Sequence, residues 1–275
     1  MDWVKDMLNA IGSGVDSGIL STMKQSPAEF NSTLYSLSDT IASNVGKPIA
    51  SAVLSVVLVL QLINAANRAE GDRQTGVKLI GITMIQCAII LAFAQNASLI
   101  LQTINSIGDW AMGTVDAATS VTTGGGPGNL GDMIGDQHLN PLDTGLAMLL
   151  LLLPFLVSKV AGIVVTVVVY LRFIQLYLMA GFSSMPVAFL GNEHTRAWGI
   201  GYFKRYTETV FQTVILFLSV AFYQHLDVNH PGKLADGQAL SGWIIENFGQ
   251  LILASVLLIA VVALSNKVAK AIFGE

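Results

Sequence analysis

Lys159 is the one charged residue between Asp143 and Arg172, in the run LLLLLPFLVSKVAGIVVTVVVYLR (149–172). An ammonium facing lipid within a span costs on the order of 2.5 kcal/mol or more. Lys159 is therefore expected to face protein or a wet cavity, the alternative being a lysine that snorkels through a thinned bilayer. In a ring of identical subunits it would join a positive belt around a lumen, attractive to an anionic chain or to lipid headgroups. A second set is polar and uncharged. Gln95, Ser98, Gln102 and Asn105 recur at helical spacing, which predicts one polar helix face. Lipid cannot satisfy such groups, so the face either packs against other spans or lines a pore. Arg205 and Glu208 stand three apart and read as a helical ion pair at the inner interface.

Other reactive side chains carry less. His225 and His230 flank Asp227, but that spacing on a helix splays the rings, unlike a helical zinc pair. Pro231 implies an irregular chain there, and solvated loop histidines are the expectation. The aspartates of GDMIGD (131–136) lie in a loop, whereas those of intramembrane aspartyl proteases lie within spans. The glycine-rich TTGGGPGNLGD (122–132) lacks the Lys-Ser/Thr that completes a phosphate-binding loop. Cys87, the one cysteine, excludes an internal disulfide and a cysteine metal cluster. No serine–histidine–acid motif, HExxH or CxxC is present. The expectation is a protein with no catalytic residues, no metal and no cofactor.

The elements that must position these residues follow from composition. The 275 residues are 53% hydrophobic and 12% charged, about half the charge of an ordinary soluble domain. That balance predicts an all-α, polytopic membrane protein, and a net charge of −4 argues against a nucleic-acid surface. A span takes about 20 mostly apolar residues. Five are read: 48–67, 79–108, 144–172, 206–224 and 243–265. The alternating connections then divide the basic residues. Nine fall on one side: Arg68, Arg73, Lys78, Arg172, Arg196, Lys204, Arg205, Lys267 and Lys270. Lys5, Lys24, Lys47 and Lys233 fall on the other. Basic residues favour the cytoplasm, so the amino terminus is expected outside and the carboxyl terminus inside. With Arg172 as inner boundary, Leu152 marks the outer one, and Lys159 sits roughly 10 Å deep.

Residues 1–44 are expected to form extracytoplasmic amphipathic helices, and 45–275 the transmembrane domain. Trp3, Val4, Met7, Leu8 and Ile11 repeat at helical spacing up to Gly12 and Gly14. Ser26, Pro27 and Glu29 predict a capped helix start, followed by the stripe Phe30, Leu34, Leu37 and Ile41. These stripes either pack on the protein's own spans or offer a platform to an extracytoplasmic partner.

The stretch YLRFIQLYLMAGFSSMPVAFLGNEHTRAWGIGYFKRYTETVFQ (170–212) is the most distinctive. A span runs into an Arg172-led amphipathic helix, which Gly181 and Pro186 are predicted to break, and an aromatic–Lys204 pair leads into the next span. The stretch, with the five-span layout and amphipathic amino terminus, resembles the TrbL/VirB-six-like inner-membrane components of type IV secretion and conjugation machines, in a compact Gram-positive-type form. The resemblance implies a subunit of a bacterial cytoplasmic-membrane machine that helps DNA–protein substrates across. It also implies a homo-oligomeric ring contacting other secretion subunits, ATPases among them, and membrane lipids. A conducting channel and a non-conducting scaffold both remain open at this point. A small-solute transporter would show two matching halves with broken spans, and five unequal spans show no such repeat.

Overall fold

Asn96 divides what reads as one thirty-residue apolar stretch. Its backbone N–H reaches the carbonyls of Ala92 and Phe93, both at 3.2 Å, and its side-chain amide donates to Ala92 at 2.8 Å. Asparagine competes in this way for backbone partners, and one helix ends at Gln95 while the next begins at Ala97. The span expected at 79–108 is therefore two helices.

The computed structural model describes all residues except 1, 14, 16, 69–72, 120–129, 135–139, 225–231, 236 and 275. His225, Asp227, His230, Pro231, Asp136 and most of the glycine-rich stretch thus lie outside the described residues. The helices are α1 (Asp2–Ser13), α2 (Ser17–Met23), α3 (Pro27–Phe30), α4 (Ser32–Ile41), α5 (Lys47–Arg68), α6 (Arg73–Gln95), α7 (Ala97–Thr119), α8 (Pro141–Gly181), α9 (Ser184–Phe189), α10 (Arg196–Gln224) and α11 (Leu240–Phe273). A π-helical turn, Ala42–Gly46, joins α4 to α5, and a 3₁₀ turn covers Leu130–Ile134. No strand occurs among the described residues.

Five helical runs are long and apolar enough to cross a membrane: Ser32–Asn67, Gly76–Gln95, Pro141–Gly181, Arg196–Tyr223 and Leu240–Phe273. The number agrees with the sequence reading, while several boundaries move. Pro48 does not open the first span. The helix already runs from Ser32, and the π turn just before Pro48, with the Lys47 N–H reaching back to Ala42, takes up the bond and space that proline removes. The boundary drawn at 44/45 thus falls inside a helix. Arg172 does not end the third span either, because α8 continues to Gly181. The chain then turns at Phe182–Ser183 and resumes as α9, with Pro186 inside that short helix.

The chain forms two units. One comprises Met1–Lys24, Ala111–Leu171 and Gln212–Glu275. Its core joins Val4, Leu8 and Ile11 of α1 to Ala147 and Leu151 of α8 and to Leu240, Trp243 and Ile244 of α11. Val4, Leu8 and Ile11 of the α1 stripe thus pack on the protein's own helices, while Trp3 stays exposed. Ser158 Oγ donates to the Ala10 carbonyl at 3.1 Å, and Gly131 N–H to Asn9 Oδ1 at 2.7 Å. Asp143 caps α11, accepting from the N–H groups of Leu240 at 2.7 Å and Ser241 at 3.2 Å and from the Ser241 hydroxyl. Lys24 pairs with Asp116 at 2.6 Å and lies over the Phe217 ring.

The other unit comprises Gln25–Trp110 and Arg172–Phe211. The expected capping box starts α3: Ser26 Oγ accepts from Glu29 N–H at 3.3 Å, and Glu29 Oε2 accepts from Ser26 N–H at 2.9 Å. Asn31 then caps α4 in its turn. Phe30 stacks on Phe173 at 4.0 Å, and Tyr177 donates to the Pro27 carbonyl at 2.6 Å. Leu34 and Leu37 remain exposed, so the stripe through Phe30, Leu34, Leu37 and Ile41 is only partly covered. Small residues permit two close approaches. A Cβ on Gly46 would lie 3.1 Å from the Gly181 carbonyl, and one on Gly199 would lie 2.6 Å from the Pro186 carbonyl.

Candidate functional site

α4, α7, α8 and α10 line a small, partly open polar cavity in the second unit. Its polar lining is Tyr35, Ser38, Asp39, Ser98, Gln102, Asn105 and Tyr206. These positions are one face of α4 (35, 38, 39) and one of α7 (98, 102, 105), and the apolar contact of Leu101, Leu176, Tyr206 and Val210 holds α7, α8 and α10 together beside them. Tyr206 is 1% exposed, and its hydroxyl donates to Asn105 Oδ1 at 3.0 Å. Neighbouring Tyr202 donates to the Met179 carbonyl at 2.7 Å. The cavity measures about 20 Å³, enough for one water, and its lining supplies the polar partners that a buried water needs.

Three of the four residues in the polar stripe, Ser98, Gln102 and Asn105, therefore converge. Gln95 does not join them. It ends α6, beyond the Asn96 break, and its amide donates to Ser51 Oγ of α5 at 3.2 Å, a contact that ties two spans together. Tyr35, Ser38 and Asp39 of α4 and Tyr206 of α10 complete the site; the α7 stripe is the sequence signal that pointed toward it, and nothing in the sequence marked the α4 residues.

Arg205 and Glu208 form the expected pair on α10, with Nη1 3.1 Å from Oε2 and 3.3 Å from Oε1. Glu208 is 2% exposed, so its charge depends on the partly exposed guanidinium beside it. Lys204 is exposed on the same helix. Arg172 is 4% exposed, which removes the reference from which the depth of Lys159 was counted. Outside the spans, burial and then the like charge of Glu29 push the Asp109 carboxyl above its ordinary value.

In the first unit, Lys159 lies on the outer face of α8, with Nζ 5.3 Å from the centre of the Phe155 ring, a cation–π contact. It stands at an open groove between α1 and α8.

Residues 16–184 match the model of a family described as TrbL/VirB6 plasmid conjugal transfer like protein. The chain belongs to this family. The match runs from α2 to the start of α9, so it includes Lys159, Arg172 and the α4, α7 and α8 walls of the polar cavity. Tyr206, Arg205, Glu208 and the second half of the 170–212 stretch lie beyond it. No curated protein and no solved structure matches the chain. Membership in the TrbL/VirB6-like family makes the chain a multi-pass membrane component of conjugal transfer and type IV secretion machinery, in contact with the membrane and with other parts of that machinery.

Proposed function

We propose that the chain is a channel-forming subunit that helps move a DNA–protein substrate across the bacterial cytoplasmic membrane and takes no catalytic step itself. The reading rests on one observation: the family match covers residues 16–184, which contain three of the five candidate spans. The distribution of basic residues supports an amino terminus outside and a carboxyl terminus in the cytoplasm. A cavity of about 20 Å³ admits water and not a nucleic-acid strand. Conduction therefore calls for a path between subunits, in a homo-oligomeric ring joined by other secretion subunits and their ATPases. A non-conducting scaffold that holds those ATPases is the second reading.

The test has two parts. Deleting the chain in a donor cell and restoring it from a plasmid should abolish and then recover DNA transfer; unchanged transfer in the deletion strain would overturn both readings. Photo-crosslinking during transfer separates them. Transferred DNA captured on this chain supports conduction, and capture on other subunits alone supports the scaffold.

A further inference from the structure

The groove beside Lys159 is built like a lipid site. Its walls are apolar, with Met7 from α1 and Leu149, Leu152 and Phe155 from α8. Its two charged side chains are Asp6 and Lys159. Trp3 completes it on α1 and is 74% exposed, as an indole at a membrane–water boundary would be. At about 600 Å³ the space matches a pocket for a sizeable organic ligand and not for an ion. Side chains on a helix lean toward its amino-terminal end. The contact between Lys159 Nζ and the Phe155 ring, one turn back along α8, shows that the ammonium follows this course. α1 lies against the same stretch of α8, through the Ser158–Ala10 hydrogen bond. Among the described residues no carboxylate lies within ion-pair distance of Lys159.

We propose that this groove holds the headgroup of one phosphatidylethanolamine molecule, its phosphate on Lys159 Nζ and its ammonium toward Asp6, with an acyl chain leaving along α8 past Val160 and Ile163, both exposed. A groove that carries one cation and one anion matches a zwitterionic headgroup. Phosphatidylglycerol puts a neutral glycerol where phosphatidylethanolamine has its ammonium, so Asp6 would be left without a cation. Phosphatidylcholine places a methylated ammonium, with no hydrogen to donate, beside the carboxylate. The lipid supplies Lys159 with the counter-charge that the span lacks, which answers why a lysine is tolerated there.

The full-length protein, purified and reconstituted in phosphatidylcholine doped with equal phosphatidylethanolamine and phosphatidylglycerol, is released into mild detergent and its retained lipids are counted by native mass spectrometry. The wild type should keep one phosphatidylethanolamine per chain. Lys159→Leu should lower that retention by about tenfold or more, roughly 1.4 kcal/mol of binding, and Lys159→Arg should preserve it. Asp6→Asn should erase the preference over phosphatidylglycerol. Lys159 is exposed, so the leucine variant should fold, and an unchanged helical circular dichroism spectrum checks that it has. Equal retention by Lys159→Leu, equal retention of the two lipids by the wild type, or a lipid-free dimer crosslinked through a cysteine at 159 would each overturn the proposal.

Discussion

Tyr206 of α10 donates its phenolic hydrogen to Asn105 Oδ1 of α7 at 3.0 Å, beside a cavity the size of one water. The two ends of this bond differ in what replaces them. Tyr206→Phe leaves the Asn105 oxygen next to the cavity, where water can serve it, and should cost only about 0.5–1.5 kcal/mol. Asn105→Leu removes the acceptor of a nearly inaccessible hydroxyl and should cost more, about 1–3 kcal/mol. Thermal unfolding in detergent ranks the two variants, and the reverse order would mean that the cavity does not hold water.

Gly199 is where the start of α10 meets the backbone of α9. A methyl group there would lie 2.6 Å from the Pro186 carbonyl oxygen, and backbone cannot swing aside as a side-chain tip can. Gly199→Ala should therefore destabilise by about 1–3 kcal/mol, despite the better helix propensity of alanine. Gly201→Ala meets nothing within 4 Å and serves as the control, expected to be neutral or slightly stabilising.

The Asp143 carboxylate serves two backbone N–H groups at the start of α11. Its replacement by alanine should cost about 0.5–2 kcal/mol, the usual loss of a helix cap, and asparagine should recover part of it. Hydrogen exchange at Leu240 and Ser241 measures the effect locally, and protection unchanged in Asp143→Ala would refute the capping role.

Glu29 should make the amino-terminal part of the second unit sensitive to acid. Hydrogen bonds from the Ser26 backbone and then its side chain hold the Glu29 carboxyl below its ordinary value of 4.5. A carboxylate with a lowered folded-state pKa contributes stability that is present above 4.5 and lost as the pH falls through the lowered value. The gap in melting temperature between wild type and Ser26→Ala should accordingly be widest near neutral pH and narrow under acid. A gap that widens as pH falls would contradict the capping box.

What the sequence disclosed and what it hid follow from the range of the forces involved. Ser26–Pro27–Glu29 was legible because a capping box is closed within four residues. The interruption after Gly181 was legible because glycine and proline act on their own backbone. The break at Asn96 was not, since hydropathy runs on through Ala97, Leu99 and Ile100 while a single amide rearranges the local hydrogen bonds. Arg172 looked like an interface residue because charge alone suggests water; its burial comes from the helices around it. Asp39 went unnoticed for the same reason, since only the fold places it in the lining of one pocket with Ser98 and Asn105. The charge of Lys159 stood out in its apolar run, but the groove beside it depends on where α1 docks.

The Asp143 clasp also constrains how the chain is threaded. It fastens the beginning of α8 to the beginning of α11, so both helices enter the membrane from the same face and run in the same direction. Between those two points the chain must cross an even number of times. α8 is one crossing and α10 the other, and α9, with six residues, is far too short to supply a third. The 182–195 connection and the end of α11 consequently share a compartment, whichever compartment that is. A single cysteine at Asn192 and another at Lys270, each in a Cys87→Ala background, should react with an impermeant maleimide from the same side. A population inserted upside down would keep this parity, whereas one with α11 alone inverted would have to abandon the clasp.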